Sequence, residues 1–235
     1  MVKNHLKRLN VPKSWPVKRK TSKWIVKPRS SHPLGQCLPV SVILKEVLGF
    51  AATAKEAKVI LNQKLMLVNK KARKEPKFGA GLLDVVELPG MKLHYRILLS
   101  KQGKLVLHPI DEKEASIRPC KIQSKRIVAG GKIQIAFADG TTMFTDNKEY
   151  KAGDTLVLSM PDNKVREHLK FEKGAMLYIT AGRQASLYGT FEEVRQFSGA
   201  QPDNIVVSHA GKHYETRKDY AMVIGREKPA ISMVD

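Results

Sequence analysis

The segment that most limits how this chain can fold is its first 36 residues. They carry ten cations, Lys3, Lys7, Arg8, Lys13, Lys18, Arg19, Lys20, Lys23, Lys27 and Arg29, and no Asp or Glu. Pro12, Pro16, Pro28 and Pro33 interrupt the run, and its apolar residues show little periodicity. Such a stretch buries too little apolar surface to offset its own ordering, so it is expected to be extended or disordered when free. A polyanion would order it. Lysine and arginine neutralise phosphates, and the indoles of Trp15 and Trp24 are suited to stacking on exposed bases. Trp15 has a second reading, as an anchor that holds the segment on its own core.

Charge falls along the chain: +10 over residues 1–36, +6 over 37–100, +4 over 101–170 and 0 over 171–235, making +20 in all. That gradient points to nucleic acid or an anionic membrane as partner. The basic stretch is broken by proline and is not an amphipathic helix, which disfavours the membrane. A solvated surface would not concentrate ten cations against no acids.

The length of 235 residues suits one large domain or two to three small ones. The apolar runs are too short to span a bilayer, and no signal-peptide core stands at the start. Cys37 and Cys120 are the two cysteines, without a C-x-x-C pair, which argues against zinc and against a secreted disulfide scaffold. A soluble, cytoplasmic protein without cofactor or metal is expected.

The first folded unit is expected from Cys37. Pro39 suits a first helical turn; Val40, Ile43, Leu44, Val47 and Leu48 then share a face, and Gly49 stops the helix. Thr53-Ala54-Lys55-Glu56 reads as a capping box opening a second helix. Its buried face is Ala54, Ala57, Ile60 and Leu61, with Lys55, Lys58 and Asn62 opposite. A strand over 65–68, a turn over 69–74 and a strand over 84–88 complete the unit. Residues 91–170 read as β hairpins, with Gly103 and Asp139-Gly140 as turns. Strands over 155–160 and 165–171 flank the turn at Pro161-Asp162-Asn163-Lys164. In 172–235, strands at 175–180, from Gly189, at 205–207, 213–217 and 220–224 suggest a second β unit.

The chain holds no P-loop, no dinucleotide fingerprint and no G-x-S-x-G elbow. His209 and His213 flank the Gly211-Lys212 turn and read as surface histidines rather than a metal face. Asp111-Glu112 and Glu192-Glu193 lie on loops or strands where neighbours point apart. No catalytic constellation emerges.

Three stretches together resemble one family. The first is His5-Leu6-Lys7-Arg8, Val11-Pro12-Lys13, Trp15 and the run from Lys20 through Val26-Lys27-Pro28-Arg29. The second is the two-helix unit ending Leu67-Val68-Asn69-Lys70, followed by Phe78-Gly79-Ala80-Gly81-Leu82-Leu83-Asp84-Val85-Val86. The third is Gly174 to Gly189, similar to a KOW motif, followed by Val223-Ile224-Gly225 and Lys228-Pro229-Ala230-Ile231-Ser232. In that order they are similar to the archaeal and eukaryotic small-subunit ribosomal protein family S-four-e, and the short stretch after Ile231 resembles its archaeal branch.

The resemblance implies an α+β, mostly β chain in four parts: a basic extension (1–36), an S4-like RNA-binding domain (37–90), a central β-rich domain (91–171) and a KOW-containing, SH3-like small barrel (172–235). It implies a structural, non-enzymatic role on small-subunit ribosomal RNA beside neighbouring ribosomal proteins, with no membrane and no small-molecule substrate. Carried onto this sequence, the S4-type surface uses Lys45, Lys55, Lys58, Lys64, Lys70, Lys71, Arg73 and Lys74. The cations of residues 1–36, Trp15 and Arg183 add to it. Three departures stand out. The link into the S4-like unit is Ser30-Ser31-His32-Pro33, one residue shorter than the family's. Lys70 replaces a turn glycine, which disfavours positive φ there. Ala185-Ser186-Leu187-Tyr188 replaces the small polar residue, glycine, arginine and valine of the KOW loop, which turns that loop toward packing or protein contact. Two other readings are a pseudouridine synthase, which would need an Arg-Leu-Asp sequence that is missing here, and a free RNA-binding factor.

Overall fold

The helix Ala54–Asn62 begins where the capping box predicts. The Thr53 hydroxyl accepts from the Glu56 N–H at 3.2 Å, and the Glu56 carboxylate accepts from the Ala52 N–H at 2.8 Å and from the Thr53 hydroxyl at 2.8 Å. Ala57 and Leu61 are buried, while Lys55, Lys58 and Asn62 are exposed on the other face. Ala54 is also exposed, because the first turn overhangs the core.

In this computed structural model, residues 4–128, 130–197 and 201–233 are described. They gather into two compact units. The first comprises residues 1–98, 103–118 and 160–162; the second comprises 99–102, 119–159 and 163–235.

In the first unit, Cys37–Pro39 is a short strand paired antiparallel with Gly79–Gly81. Pro39 caps the next helix instead of opening it. After Val40–Val42 the chain widens into a π turn over Ile43–Val47, the Leu48 N–H reaching the Ile43 carbonyl at 2.9 Å. Gly49 ends the helix at φ +72°, as expected of a C-terminal glycine. These helices bury Val40, Ile43, Leu44, Ala57 and Leu61. A five-stranded sheet runs in the order Lys71–Ala72, Leu67–Val68, Val85–Leu88, Leu93–Leu99, Leu105–Pro109. Gly79 and Gly81 lack side chains for a physical reason. A Cβ on Gly79 would meet Ser30, and one on Gly81 would meet the His32 ring, so the link through Ser30 and His32 lies directly on this strand.

The N-terminal segment is folded, which corrects the expectation of an extended or disordered tail. Leu6–Lys7 pairs antiparallel with Trp24–Ile25. Val11, Trp15 and Ile25 are buried, and the Leu105 N–H donates to the Ser14 carbonyl at 2.7 Å. Too little apolar surface lies inside the segment itself; its burial comes from residues far along the chain.

The second unit holds two five-stranded sheets. One runs Thr142–Thr145, Ile133–Phe137, Ile117–Ile127, Thr155–Ser159, Lys164–Leu169. Its core is Cys120, Ile122, Ile133, Ile135, Phe137, Tyr150, Leu156 and Leu158. The predicted Asp139-Gly140 turn forms, with Gly140 at φ +80° and the Asp139 carboxylate accepting from the Thr141 N–H at 2.8 Å. The other sheet runs Lys212–Arg217, Asn204–His209, Tyr188–Arg195, Met176–Ile179, Ala221–Gly225. The molecule is thus mostly β with few helices.

Candidate nucleic-acid interface

Lys55 and Lys58 project from the helix face opposite Ala57 and Leu61. Lys64, Lys71 and Lys74 are exposed on the chain that follows, and Lys45 on the π turn is half-buried. Lys45 lies near enough to the Glu56 carboxylate to help lower its pKa, after the Ala52 N–H and the Thr53 hydroxyl. Among the described residues, Lys55, Lys58, Lys64, Lys71 and Lys74 have no acidic partner, so their charges are available to an external anion.

The turn that carries Lys70 and Lys71 is built on a buried carboxylate. Asp84 accepts from the Asn69 amide at 2.9 Å and from the Gly81 N–H at 2.7 Å. It pairs with Arg118 at 2.9 Å and His32 at 3.3 Å. The Asn69 side-chain oxygen accepts in turn from the Val85 N–H at 2.9 Å. Burial alone would push the Asp84 carboxyl up. The Arg118 guanidinium, His32 and the Asn69 amide outweigh it and hold Asp84 well below the usual carboxylate range.

Asn69 and Lys70 both take positive φ, +52° and +61°. This corrects the expectation that Lys70 would avoid such a turn. A non-glycine residue pays roughly 1–2 kcal/mol there. The Lys70 ammonium offsets this by pairing at 3.0 Å with Glu87, whose side chain is otherwise buried. Lys70 is therefore committed inside the fold. Arg73 is half-buried, with its guanidinium 4.3 Å over the Phe78 ring.

The N-terminal residues divide in the same way. Arg8 is buried, its guanidinium gripping Glu46 through two bonds of 2.8 and 2.7 Å and capping the Lys18 carbonyl at 2.8 Å. The guanidinium expected to meet RNA is thus engaged within the fold. Trp15 is 3% exposed and its indole N–H donates to the Leu34 carbonyl at 3.0 Å, as an anchor on the core would be. Lys7, Lys13, Lys18, Lys20, Lys23 and Arg29 are exposed, and Arg19 and Lys27 are half-buried. Lys3 lies outside the described residues.

Trp24, whose indole the sequence marks as suited to stacking, was left out of the residues assigned to RNA. It is 48% exposed, with the Lys23 ammonium 5.4 Å from its ring and His5 edge-on at 5.0 Å. The signal was present: Ile25 is buried, and on a strand the preceding residue faces the other way. Arg183 is exposed on the loop after Met176–Ile179.

Among the described residues no group of three His, Cys, Asp or Glu side chains is placed to hold a metal, and no helix is long and apolar enough to cross a membrane.

Comparison with known proteins shows the family to which the chain belongs. A family model described as "Ribosomal family S4e" matches residues 91–165, and one described as "RS4NT (NUC023) domain" matches residues 2–31. The small ribosomal subunit protein eS4 of Methanocella arvoryzae is 35% identical over 235 residues, covering 100% of this chain and 99% of its own length. That of Methanothermobacter thermautotrophicus is 37% identical over 233 residues, with 98% and 96% covered. The crystal structure of the 30S ribosomal protein S4e from Thermoplasma acidophilum superposes with a TM-score of 0.70 at 34% identity, over 81% of this chain and 95% of that one. The chain belongs to the ribosomal S4e family. It is a ribosomal protein and not an enzyme.

Proposed function

We propose that this chain is a structural constituent of the small ribosomal subunit in the cytoplasm and that it holds ribosomal RNA through one set of exposed cations. The observation that carries the reading is the division among the lysines and arginines. Arg8 and Lys70 are paired with Glu46 and Glu87, while Lys55, Lys58, Lys71, Lys74 and Lys7, Lys13, Lys18, Lys20 and Lys23 face solvent. A rigid face of long cations fits the phosphates of a structured RNA, and single exposed aromatics such as Trp24 fit unpaired bases. The names of the relatives support the ribosomal part of the reading. Residues 37–90 are read as the S4-like RNA-binding domain, 91–171 as the central β domain, 172–235 as the KOW-containing SH3-like barrel, and 1–36 as the basic extension. Neighbouring small-subunit proteins are the other partners.

Sedimentation of a cell lysate through gradients at moderate and high salt tests this, with the chain followed by immunodetection. Stoichiometric migration with the small subunit that survives the high-salt wash is expected. A chain left at the top of the gradient, or stripped by salt, would make it a transient RNA-binding factor.

A further inference from the structure

The second unit carries a concave site outside the cationic face. A cleft of about 510 Å³ opens beside the loop that replaces the family's KOW residues. Its walls include Lys101, Arg183, Gln184, Tyr188, His209 and Tyr214, and no acidic side chain lines it. That volume falls in the range of roughly 300–1,000 Å³ typical of small-ligand pockets. Tyr188 and His209 meet edge to face, ring centres 5.2 Å apart. Gly189 explains how closely their strands approach: a Cβ there would collide with the Ser208 carbonyl. Tyr214 stands on the next strand, and all three rings are only partly buried.

The loop is held in shape. The Ser186 N–H donates to the Ile179 carbonyl at 2.9 Å, and the Ile179 N–H returns a bond to the Leu187 carbonyl at 2.9 Å. Ser186 takes φ +79° where the family pattern has glycine. Beneath it the buried Tyr178 hydroxyl accepts from the Leu99 N–H at 3.0 Å. Arg183 and Lys101 have no acidic partner among the described residues. Three accessible rings, two free cations and one side-chain amide in a preformed cleft match one chemistry. Aromatic faces stack a base, the cations meet its flanking phosphates, and the amide reads a base edge.

We propose that this cleft binds one unstacked nucleotide of single-stranded RNA, stacked against Tyr188, His209 and Tyr214 with its phosphates on Arg183 and Lys101. The proposal rests on the reading of the chain as RNA-binding and gives that reading a second, differently built site.

The test uses the full chain and a uridine octamer carrying 4-thiouridine. Photocrosslinks are expected at Tyr188, His209 or Tyr214. Tyr188→Ala and Tyr214→Ala should each weaken octamer binding by about 5- to 150-fold, the usual range for a lost base stack. Tyr188→Phe, which keeps the ring, should bind within about twofold of the parent. Should Tyr188→Ala melt early, the Tyr214→Ala and Tyr188→Phe pair carries the test. Lys55→Glu with Lys58→Glu serves as the control for the other surface. Alanine variants that bind like the parent, while the lysine pair weakens binding, would overturn the cleft and leave the RNA reading standing. No octamer or ribosomal RNA binding by the parent chain would overturn both. In assembled subunits, a crosslink from this cleft to a protein rather than RNA would also overturn the proposal.

Discussion

Asp84 is the residue on which the turn at Asn69 and Lys70 depends. It gathers Arg118, His32, the Asn69 amide and the Gly81 N–H around one buried carboxylate. Asp84→Asn removes the charge that Arg118 and His32 face and is expected to cost about 3–5 kcal/mol, read as a drop in urea-unfolding free energy. Its pH dependence has a definite sign. The folded pKa is depressed, so the contribution is complete above the unfolded value of about 3.9 and is lost as pH falls below it toward the folded value. Unfolding followed from pH 6 to pH 2 should show stability falling below about pH 4, with that part of the fall absent in Asp84→Asn. The tryptophans make a second pair of expectations at this scale. Trp15→Ala should cost about 3–5 kcal/mol of stability through the core it vacates. Trp24→Ala should leave the melting temperature nearly unchanged and weaken RNA binding by about 1–3 kcal/mol. Equal effects of the two on stability would contradict the assignment.

Among the elements, those with local signals were legible in the sequence. The Thr53 and Glu56 box marks the start of Ala54–Asn62, and Asp139-Gly140 marks its hairpin, because each is decided within four residues. The N-terminal segment was not. Arg8 meets Glu46 across 38 positions and Trp15 meets Leu34 across 19, contacts no local pattern encodes. A run of cations read as one binding tail therefore hid one arginine and one tryptophan that belong to the core. The pairing of Lys70 was missed for a related reason: its turn strain is visible in sequence, and its partner Glu87, 17 positions on, is not. A consequence follows for the whole segment. Deleting residues 1–36 should destabilise the first unit by more than about 3 kcal/mol, the cost of one buried tryptophan alone. A deletion variant that unfolds at the same urea concentration as the parent would contradict the folded segment described here.

For the whole molecule, the net charge of +20 is not one uniform reagent. The first two-fifths of the chain carry most of it, and the last part carries none, so the affinity for a polyanion and its salt dependence are set mainly by the first unit. Within that unit the cations divide into those paired inside the fold, such as Arg8 and Lys70, and those that face solvent, which are proposed to hold RNA. The most direct measurement is the dependence of ribosomal RNA affinity on salt for the parent, for Lys55→Gln with Lys58→Gln, and for Lys70→Gln. Neutralising ~8 phosphates gives a slope of log K against log salt of about −6 to −7 for the parent. The exposed pair should lose about 1.5–2 from that slope, and Lys70→Gln, whose charge is spent on Glu87, should leave it unchanged. A slope that falls as much for Lys70→Gln as for the exposed pair would contradict the division between structural and RNA-facing cations.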